Sequence, residues 1–177
     1  TSGKTSVAEF TRQIFAALGH KAAALGTIGL TKPDGAVYGN LTTPDPIALH
    51  RTLASLAGEG ITHIAFEASS HGLEQHRLDG VRLTAAAFTN LGRDHLDYHP
   101  SMAAYLAAKL RLFSELLPAG GVAVVNADAA HASEVIAAAR QAGRVVMTVG
   151  SAGDTLRLAG LVPDRFAQRL RVTHAGH

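Results

Sequence analysis

The feature that most constrains the fold is an alternation of short apolar runs with longer segments of helical periodicity. The apolar runs predict strands, at residues 21–29, 61–66, 83–88, 121–126 and 144–150. Apolar residues at helical spacing predict helices, at residues 6–18, 46–58, 102–117 and 129–142. Such repeated alternation indicates the α/β class, with a mainly parallel sheet that is covered by helices on both faces.

The first residues of the chain, TSGKTS, resemble the second half of a phosphate-binding P-loop. Gly3, Lys4 and Thr5 stand directly before a predicted helix, whose free N–H groups and dipole favour phosphate oxygens. A complete P-loop also has an earlier glycine and a strand that leads into the loop. We therefore expect a domain that is truncated at its N-terminal strand.

Composition narrows the class of protein. A chain of 177 residues with 47% hydrophobic residues can bury one substantial core. The formal charge of +2 gives no reason to expect a nucleic-acid partner, and no apolar run predicts a membrane span. The absence of cysteine excludes disulfides and thiolate metal sites, and it fits a cytoplasmic location.

Polar residues follow the predicted strands at the points where these strands end. They include Glu67, Ser69 and Ser70 after one strand, Asn90 after the next, and Asn126 with Asp128 after a third. Ligands of parallel α/β sheets bind beyond the carboxyl ends of the strands. We therefore expect a binding site at this edge.

Two longer stretches resemble signature segments of the Mur ligases, which are ATP-dependent amide-forming enzymes of peptidoglycan synthesis. These are EASSHGLEQHR at residues 67–77 and FTNLGRDHLDYHPSMAAYLAAKLRLF at residues 88–113, and the shorter GTIG, NLTTPD and VVNAD are also similar. The resemblance implies that residues 1–150 are the central ATP-binding domain. Residues 151–177 would end that domain in short strands that lead to a C-terminal domain.

The same resemblance implies the reaction and its partners. A carboxylate of UDP-N-acetylmuramoyl-L-alanyl-D-glutamate would be activated by ATP as an acyl phosphate and joined to diaminopimelate or lysine. Two Mg²⁺ ions and a CO₂ that carbamylates a lysine would assist. The substrate-holding N-terminal domain and the amino-acid-selecting C-terminal domain lie outside this chain, so we expect it to be inactive alone.

Individual roles follow from the matching motif positions. The resemblance assigns phosphate binding to Gly3, Lys4, Thr5 and Ser6, and metal binding to Thr5, Glu67, His95 and carbamylated Lys109. Lys4, His95 and Lys109 are the expected catalytic residues. The muramoyl dipeptide would contact Thr42, Thr43, Ser69, Gln75 and Arg77.

Asn126 and Asp128 match positions that approach the adenine. From the residues alone, an ordinary turn at a strand end explains them nearly as well. Leu41 departs from the family pattern, which often has Asn before the paired threonines.

Other readings of the sequence remain open. His95 and His99 are four residues apart, but Leu96 follows the first histidine and Pro100 breaks the segment, which disfavours a helical zinc-protease motif. The adjacent Ser70 and His71 do not make a catalytic pair. A ligase of the folylpolyglutamate-synthetase kind, a nucleotide-binding module without ligase activity and a fragment that binds nothing well are the alternatives.

Overall fold

The computed structural model describes residues 2–35, 37–38, 43–92 and 98–174. It confirms the α/β class. The chain divides into two compact units, and each is described by itself. The first unit is Gly3–Val81; the second is Arg82–His177 together with the first two residues.

The first unit builds a four-stranded sheet. Its elements are α1 (Lys4–Ala17), β1 (Ala22–Gly26), β2 (Gly29–Thr31), β3 (Val37–Tyr38), α2 (Pro46–Gly58), β4 (His63–Phe66) and α3 (Ser70–Glu74). The strand order is β3-β2-β1-β4, and only β1 and β4 run parallel. Strand β1 is buried along its whole length, so the core of this unit lies around it.

The single strand predicted at residues 21–29 is wrong, because the chain turns back within it. Strand β1 ends at Gly26 and β2 begins at Gly29, and these two glycines pair across a turn of two residues. The φ of Gly29 is 100°, in the left-handed region that a side chain disfavours. A glycine with positive φ directly after the turn residues is a common feature of hairpins between antiparallel strands.

The second unit builds a five-stranded, mainly parallel sheet. Its elements are β5 (Ala85–Phe88), α4 (Met102–Arg111), a π-helical turn (Leu112–Leu116), β6 (Val122–Asn126), α5 (Ala132–Gln141), β7 (Val145–Gly150), β8 (Leu156–Asp164) and β9 (Ala167–His174). The order is β5-β6-β7-β8-β9; the first four strands are parallel, and β9 returns antiparallel to β8. This sheet confirms the predicted parallel arrangement.

The strands of the described residues form two sheets. Strand β4 is an edge of the first sheet and β5 is an edge of the second. The alternation of strands and helices indicates which neighbours run parallel, but it contains no information about which strands share a sheet.

The helix predicted at residues 102–117 changes its winding before it ends. The N–H of Leu117 donates to the carbonyl of Leu112 at 3.0 Å, which is the five-residue spacing of a π-helix. The guanidinium of Arg144 donates to the carbonyls of Phe113 and Ser114 at 3.0 and 3.1 Å. Arg144 thus satisfies the Phe113 carbonyl, which an α-helical turn would have paired with the N–H of Leu117, and the Ser114 carbonyl, for which Pro118 has no N–H.

Helix α1 carries an exposed apolar stripe, which we define as Val7, Phe10, Ile14 and Leu18. These side chains are 40%, 61%, 60% and 67% exposed. The helix contacts β1 and β4 through its opposite side, where Ala8 is buried. The apolar spacing predicted the helix correctly, but this stripe does not face the core of the first unit.

None of the helices in the described part of the chain is both long and apolar enough to cross a membrane.

Candidate functional site

The first turn of α1 has the form of an anion-binding helix start. Gly3 precedes the helix with φ 82°, a left-handed conformation that suits glycine. Lys4 is the first helical residue and is partly exposed, and Ser6 is exposed. The backbone N–H groups of a first helical turn and the charge of a lysine in that turn both favour an anion.

Glu67 is a buried carboxylate held next to that turn. It follows β4 directly, is 3% exposed, and its backbone N–H donates to the carbonyl of Leu25 at 3.0 Å. Its Oε1 accepts a hydrogen bond from the hydroxyl of Thr5 at 2.8 Å. The expectation that strand ends bring polar residues to the phosphate-binding turn is thus met for Thr5 and Glu67.

The Thr5 hydroxyl and the Glu67 carboxylate fit a magnesium ion in chemistry, because Mg²⁺ prefers oxygen ligands. The Thr5 hydroxyl is 2.8 Å from Oε1 of Glu67. A magnesium ion bound to this hydroxyl would therefore lie beside the Glu67 carboxylate.

Thr43 ties the chain before α2 to the segment that follows β4. Its side chain is buried, at 6% exposure. Its hydroxyl donates to the carbonyl of Glu67 at 3.1 Å and accepts from the N–H of Ser69 at 3.1 Å. Ser69 in turn caps α3, since its hydroxyl accepts from the N–H of Gly72 at 3.0 Å.

Arg77 is oriented by Gln75 and by the backbone of Thr43. Its Nε and one terminal nitrogen donate to the Gln75 side-chain oxygen at 3.0 and 2.6 Å. The other terminal nitrogen donates to the Thr43 carbonyl at 2.8 Å. The predicted dipeptide contacts Thr43, Ser69, Gln75 and Arg77 are therefore one connected cluster, and a guanidinium fork suits a carboxylate ligand.

In the second unit, Asn126 and Asp128 are engaged in the turns at their own sheet edge. The Asn126 amide donates to the carbonyl of Thr89 at 2.9 Å, and its oxygen accepts from the N–H of Asp128 at 3.1 Å. The Asp128 carboxylate accepts from the N–H groups of Ser151 and Ala152, each at 2.7 Å. These two hydrogen bonds hold the pKa of the Asp128 carboxyl below its ordinary value.

Lys109 lies on the buried side of α4. It is 6% exposed, and Tyr105 and Leu112 on the same helical face are also buried. The ring of His99 stacks on that of Tyr105, with centroids 4.8 Å apart and an angle of 12°. Lys109 is therefore buried, although a lysine on an apolar helix face more often extends its amine to water.

Two of the predicted site residues, Thr42 and His95, lie outside the described residues. The zinc hypothesis for His95 and His99 depends on one of them. Within residues 2–35, 43–92 and 98–174, no group of three metal-ligating side chains was found.

Sequence reasoning missed two residues that contact the Glu67 carboxylate. The N–H of Thr27 donates to Oε1 of Glu67 at 2.7 Å, and a Cβ on Gly26 would lie 2.1 Å from the same oxygen. Both residues belong to the GTIG segment, and its resemblance to the family did not assign a role to either of them. The usable signal was a glycine at the end of a buried strand.

The α/β fold, with a glycine-lysine-threonine turn beside a buried glutamate, defines the class of phosphate-binding P-loop-like domains. Within that class, the sequence model of the Mur ligase middle domain matches residues 1–176. The chain belongs to the Mur ligase family.

The comparisons with individual proteins agree with this assignment. The chain is 61% identical over 180 residues to the UDP-N-acetylmuramoyl-L-alanyl-D-glutamate–2,6-diaminopimelate ligase of Bradyrhizobium diazoefficiens, covering 99% of this chain and 37% of that protein. A solved structure of a ligase with the same name superposes with a TM-score of 0.83 at 34% identity, over 97% of this chain and 35% of that one.

The MurF ligase from Thermotoga maritima, solved in complex with ADP, gives a TM-score of 0.70 at 13% identity, over 99% of this chain and 37% of that one. At that identity the likeness concerns the fold alone. The chain thus spans little more than a third of the length of each of these proteins.

Proposed function

We propose that this chain is the central nucleotide-binding domain of a ligase that joins diaminopimelate to UDP-N-acetylmuramoyl-L-alanyl-D-glutamate. The observation that carries the proposal is the contact between Thr5 and the buried Glu67 beside the Gly3–Lys4 turn. The choice of diaminopimelate over lysine is supported by the name of the 61% identical relative. In this proposal residues 1–150 form most of the domain, and residues 151–177 lead towards a C-terminal domain.

Lys4 and the first N–H groups of α1 bind the phosphates of ATP. The charge of the lysine and the helix dipole both favour the anionic oxygens. Ser6, in the same turn, is the alternative hydroxyl to Thr5. Asn126 and Asp128 would contact the adenine, as the family resemblance assigns, and two backbone N–H groups already orient the Asp128 carboxylate.

The reaction has two steps, and both take place on the substrates. A substrate carboxylate oxygen attacks the γ-phosphorus of ATP, and the bond to the β-phosphate oxygen breaks, so that an acyl phosphate and ADP form. The neutral amine of diaminopimelate then attacks the acyl carbon; phosphate leaves, the nitrogen loses a proton, and an amide remains. Catalysis of this kind needs orientation and charge neutralisation rather than a side-chain nucleophile.

Thr5 and Glu67 are the residues of the first unit that would hold magnesium. Bound there, the ion would supply positive charge to neutralise the phosphate oxygens. Glu67 is suited to this role because its carboxylate is buried and already oriented by hydrogen bonds.

Lys109 would provide ligands for a second magnesium ion after reaction with CO₂. Burial favours the neutral amine over the ammonium ion, and the neutral amine is the form that attacks CO₂. The new bond joins Nζ to the carbon of CO₂, and one proton leaves the nitrogen. The carbamate oxygens are anionic and suit magnesium, and His95 is proposed to lie near the same ion.

Thr43, Ser69, Gln75 and Arg77 would bind the dipeptide part of the nucleotide substrate, with Thr42 beside them. The Arg77 fork is the carboxylate-recognising element, and Gln75 holds it in place. Because the reaction consumes ATP and diaminopimelate, we place it in the cytoplasm.

A chimeric enzyme tests the proposal. Residues 1–177 replace the matching segment of the Bradyrhizobium diazoefficiens ligase, and phosphate release is measured with ATP, Mg²⁺, the muramoyl dipeptide nucleotide and diaminopimelate. We expect release that requires all four and that falls by at least about 100-fold in Lys4→Ala, since a lysine charge on transferring phosphate is worth several kcal/mol.

The design separates the alternatives. Release that needs only ATP would favour a nucleotide-binding module without ligase activity. A folded chimera without activity, or a Lys4→Ala variant with full activity, would overturn the proposal.

A further inference from the structure

The carboxylate of Glu67 is held from the β1–β2 turn as well as from α1. The N–H of Thr27 donates to Oε1 at 2.7 Å, and the Thr5 hydroxyl donates to the same oxygen at 2.8 Å. The contact of Oε2 is weaker, with the Thr27 hydroxyl at 3.4 Å. The two oxygens of one carboxylate therefore have unequal surroundings.

Gly26 makes room for this arrangement. A Cβ at Gly26 would lie 2.1 Å from Oε1, 2.8 Å from Cδ and 2.9 Å from Cγ of Glu67. Gly26 is not among the residues with positive φ, so its backbone does not require glycine. The side chain of Glu67 is what excludes any larger residue.

The register of the sheet explains why these residues meet. Strands β1 and β4 are parallel and pair Leu25 with Phe66. The next residue of each strand is therefore Gly26 and Glu67, and the N–H of Glu67 continues the ladder to Leu25 at 3.0 Å. The glutamate side chain can then cross the end of β1 only over a residue without a side chain.

We propose that Gly26 and the backbone N–H of Thr27 are positioning residues that fix Oε1 of Glu67 and leave Oε2 to ligate the divalent cation. This inference rests on the proposed function, in which Glu67 binds magnesium. Oε1 has two short hydrogen bonds, whereas among the described residues Oε2 has only the long one. A cation gains most from the carboxylate oxygen whose lone pairs are still available, which is Oε2. The contacts with Gly26 and Thr27 prevent the carboxylate from rotating away.

The test uses the chimeric enzyme and four variants. Gly26→Ala places a methyl group against the carboxylate, and Glu67→Ala removes the carboxylate. Gly26→Ala/Glu67→Ala combines them. Gly58→Ala is the matched control, because a Cβ at Gly58 would meet nothing within 4 Å and this glycine also has no positive φ.

Two measurements are made on each variant: the thermal midpoint, and the affinity for Mn²⁺ followed by electron paramagnetic resonance in the presence of ATP. We expect Gly26→Ala to lower the midpoint and to weaken Mn²⁺ binding by about tenfold or more, consistent with the 10–100-fold losses that follow removal of groups that orient metal ligands. In the Glu67→Ala background the same alanine should leave the midpoint unchanged. Gly58→Ala should leave Mn²⁺ binding unchanged and should not lower the midpoint, because alanine favours a helix more than glycine does.

The outcomes distinguish the positioning role from the metal assignment. The positioning role is refuted if Gly26→Ala behaves like Gly58→Ala, or if it lowers the midpoint equally with and without Glu67. The metal assignment then stands. If Glu67→Ala binds Mn²⁺ as tightly as the parent chimera, the metal assignment fails and this inference fails with it. If Gly26→Ala does not fold, the double variant still tests the steric contact. A folded double variant with the same midpoint as Glu67→Ala establishes that contact. Mn²⁺ binding by Glu67→Ala decides the metal role.

Discussion

The Thr43 hydroxyl offers a direct measurement of how strongly the cluster of Thr43, Ser69, Gln75 and Arg77 is held together. Thr43→Val keeps the shape of the side chain and removes the hydroxyl. Two hydrogen bonds are lost, to the Glu67 carbonyl and from the Ser69 N–H, and the site is 6% exposed. Each such bond contributes about 1 kcal/mol, and unsatisfied buried partners add to the loss, so we expect the free energy of unfolding to fall by about 2–3 kcal/mol.

The assay is urea unfolding of the chain, followed by circular dichroism. With a slope of about 2 kcal/mol per molar urea, the midpoint should fall by about 1–1.5 M. Thr52→Val is the matched control. Its hydroxyl donates to the carbonyl of Ala48 at 2.8 Å within α2, so its removal should change stability by less than about 0.5 kcal/mol. If Thr43→Val lowers the free energy of unfolding no more than Thr52→Val does, the Thr43 hydroxyl does not hold the chain before α2 to the segment after β4.

Three further predictions concern other parts of the molecule. The folded-state pKa of Asp128 is lowered from 3.8 by the Ser151 and Ala152 N–H groups, so its contribution to stability is present above pH 3.8 and is lost as the pH falls through the lower folded value. Asp128→Asn should therefore reduce the acid dependence of the thermal midpoint, and an unchanged dependence would contradict this. Lys109→Ala in the chimeric enzyme should abolish most ligation without lowering the thermal midpoint by more than a few degrees. Added short carboxylic acids should restore part of the rate. Ligation at the parental rate would contradict the proposed metal-binding role of Lys109. The exposed apolar stripe of α1 should make the chain self-associate, which sedimentation velocity measures. The double variant Phe10→Glu/Ile14→Glu should shift the chain towards monomer, whereas the control Gln13→Glu should not. A monomeric parent chain at high concentration would refute this prediction.

Local signals in the sequence predicted α2 to its last residue. Asp45 accepts from the N–H of Ala48 at 3.0 Å as the helix cap, Pro46 opens the helix and Gly58 ends it. These signals act within a few residues, so they can be recognised without the fold. The meeting of Thr5 and Glu67 was also predictable, because the carboxyl end of a parallel strand fixes where its next residue lies.

The features that sequence reasoning missed depend on residues far apart in the chain. The turn after Gly26 is stabilised in part by Glu67, 40 residues or more away, through the Thr27 N–H. The π-helical turn after α4 is supported by Arg144, which lies 30 residues or more further along the chain. No local pattern contains such partners. The exposed stripe of α1 was likewise hidden, because periodicity predicts an apolar face but not what covers it.

The π-helical turn also bears on how the length of this segment can vary. The bond from the Leu117 N–H to the Leu112 carbonyl closes a ring with one residue more than an α-helical turn contains. Deleting Ser114 would therefore leave an ordinary α-helical turn, with Lys109 before it and Leu117 after it in their present positions. Among homologous chains, we expect this segment to differ in length by one residue without displacement of Lys109.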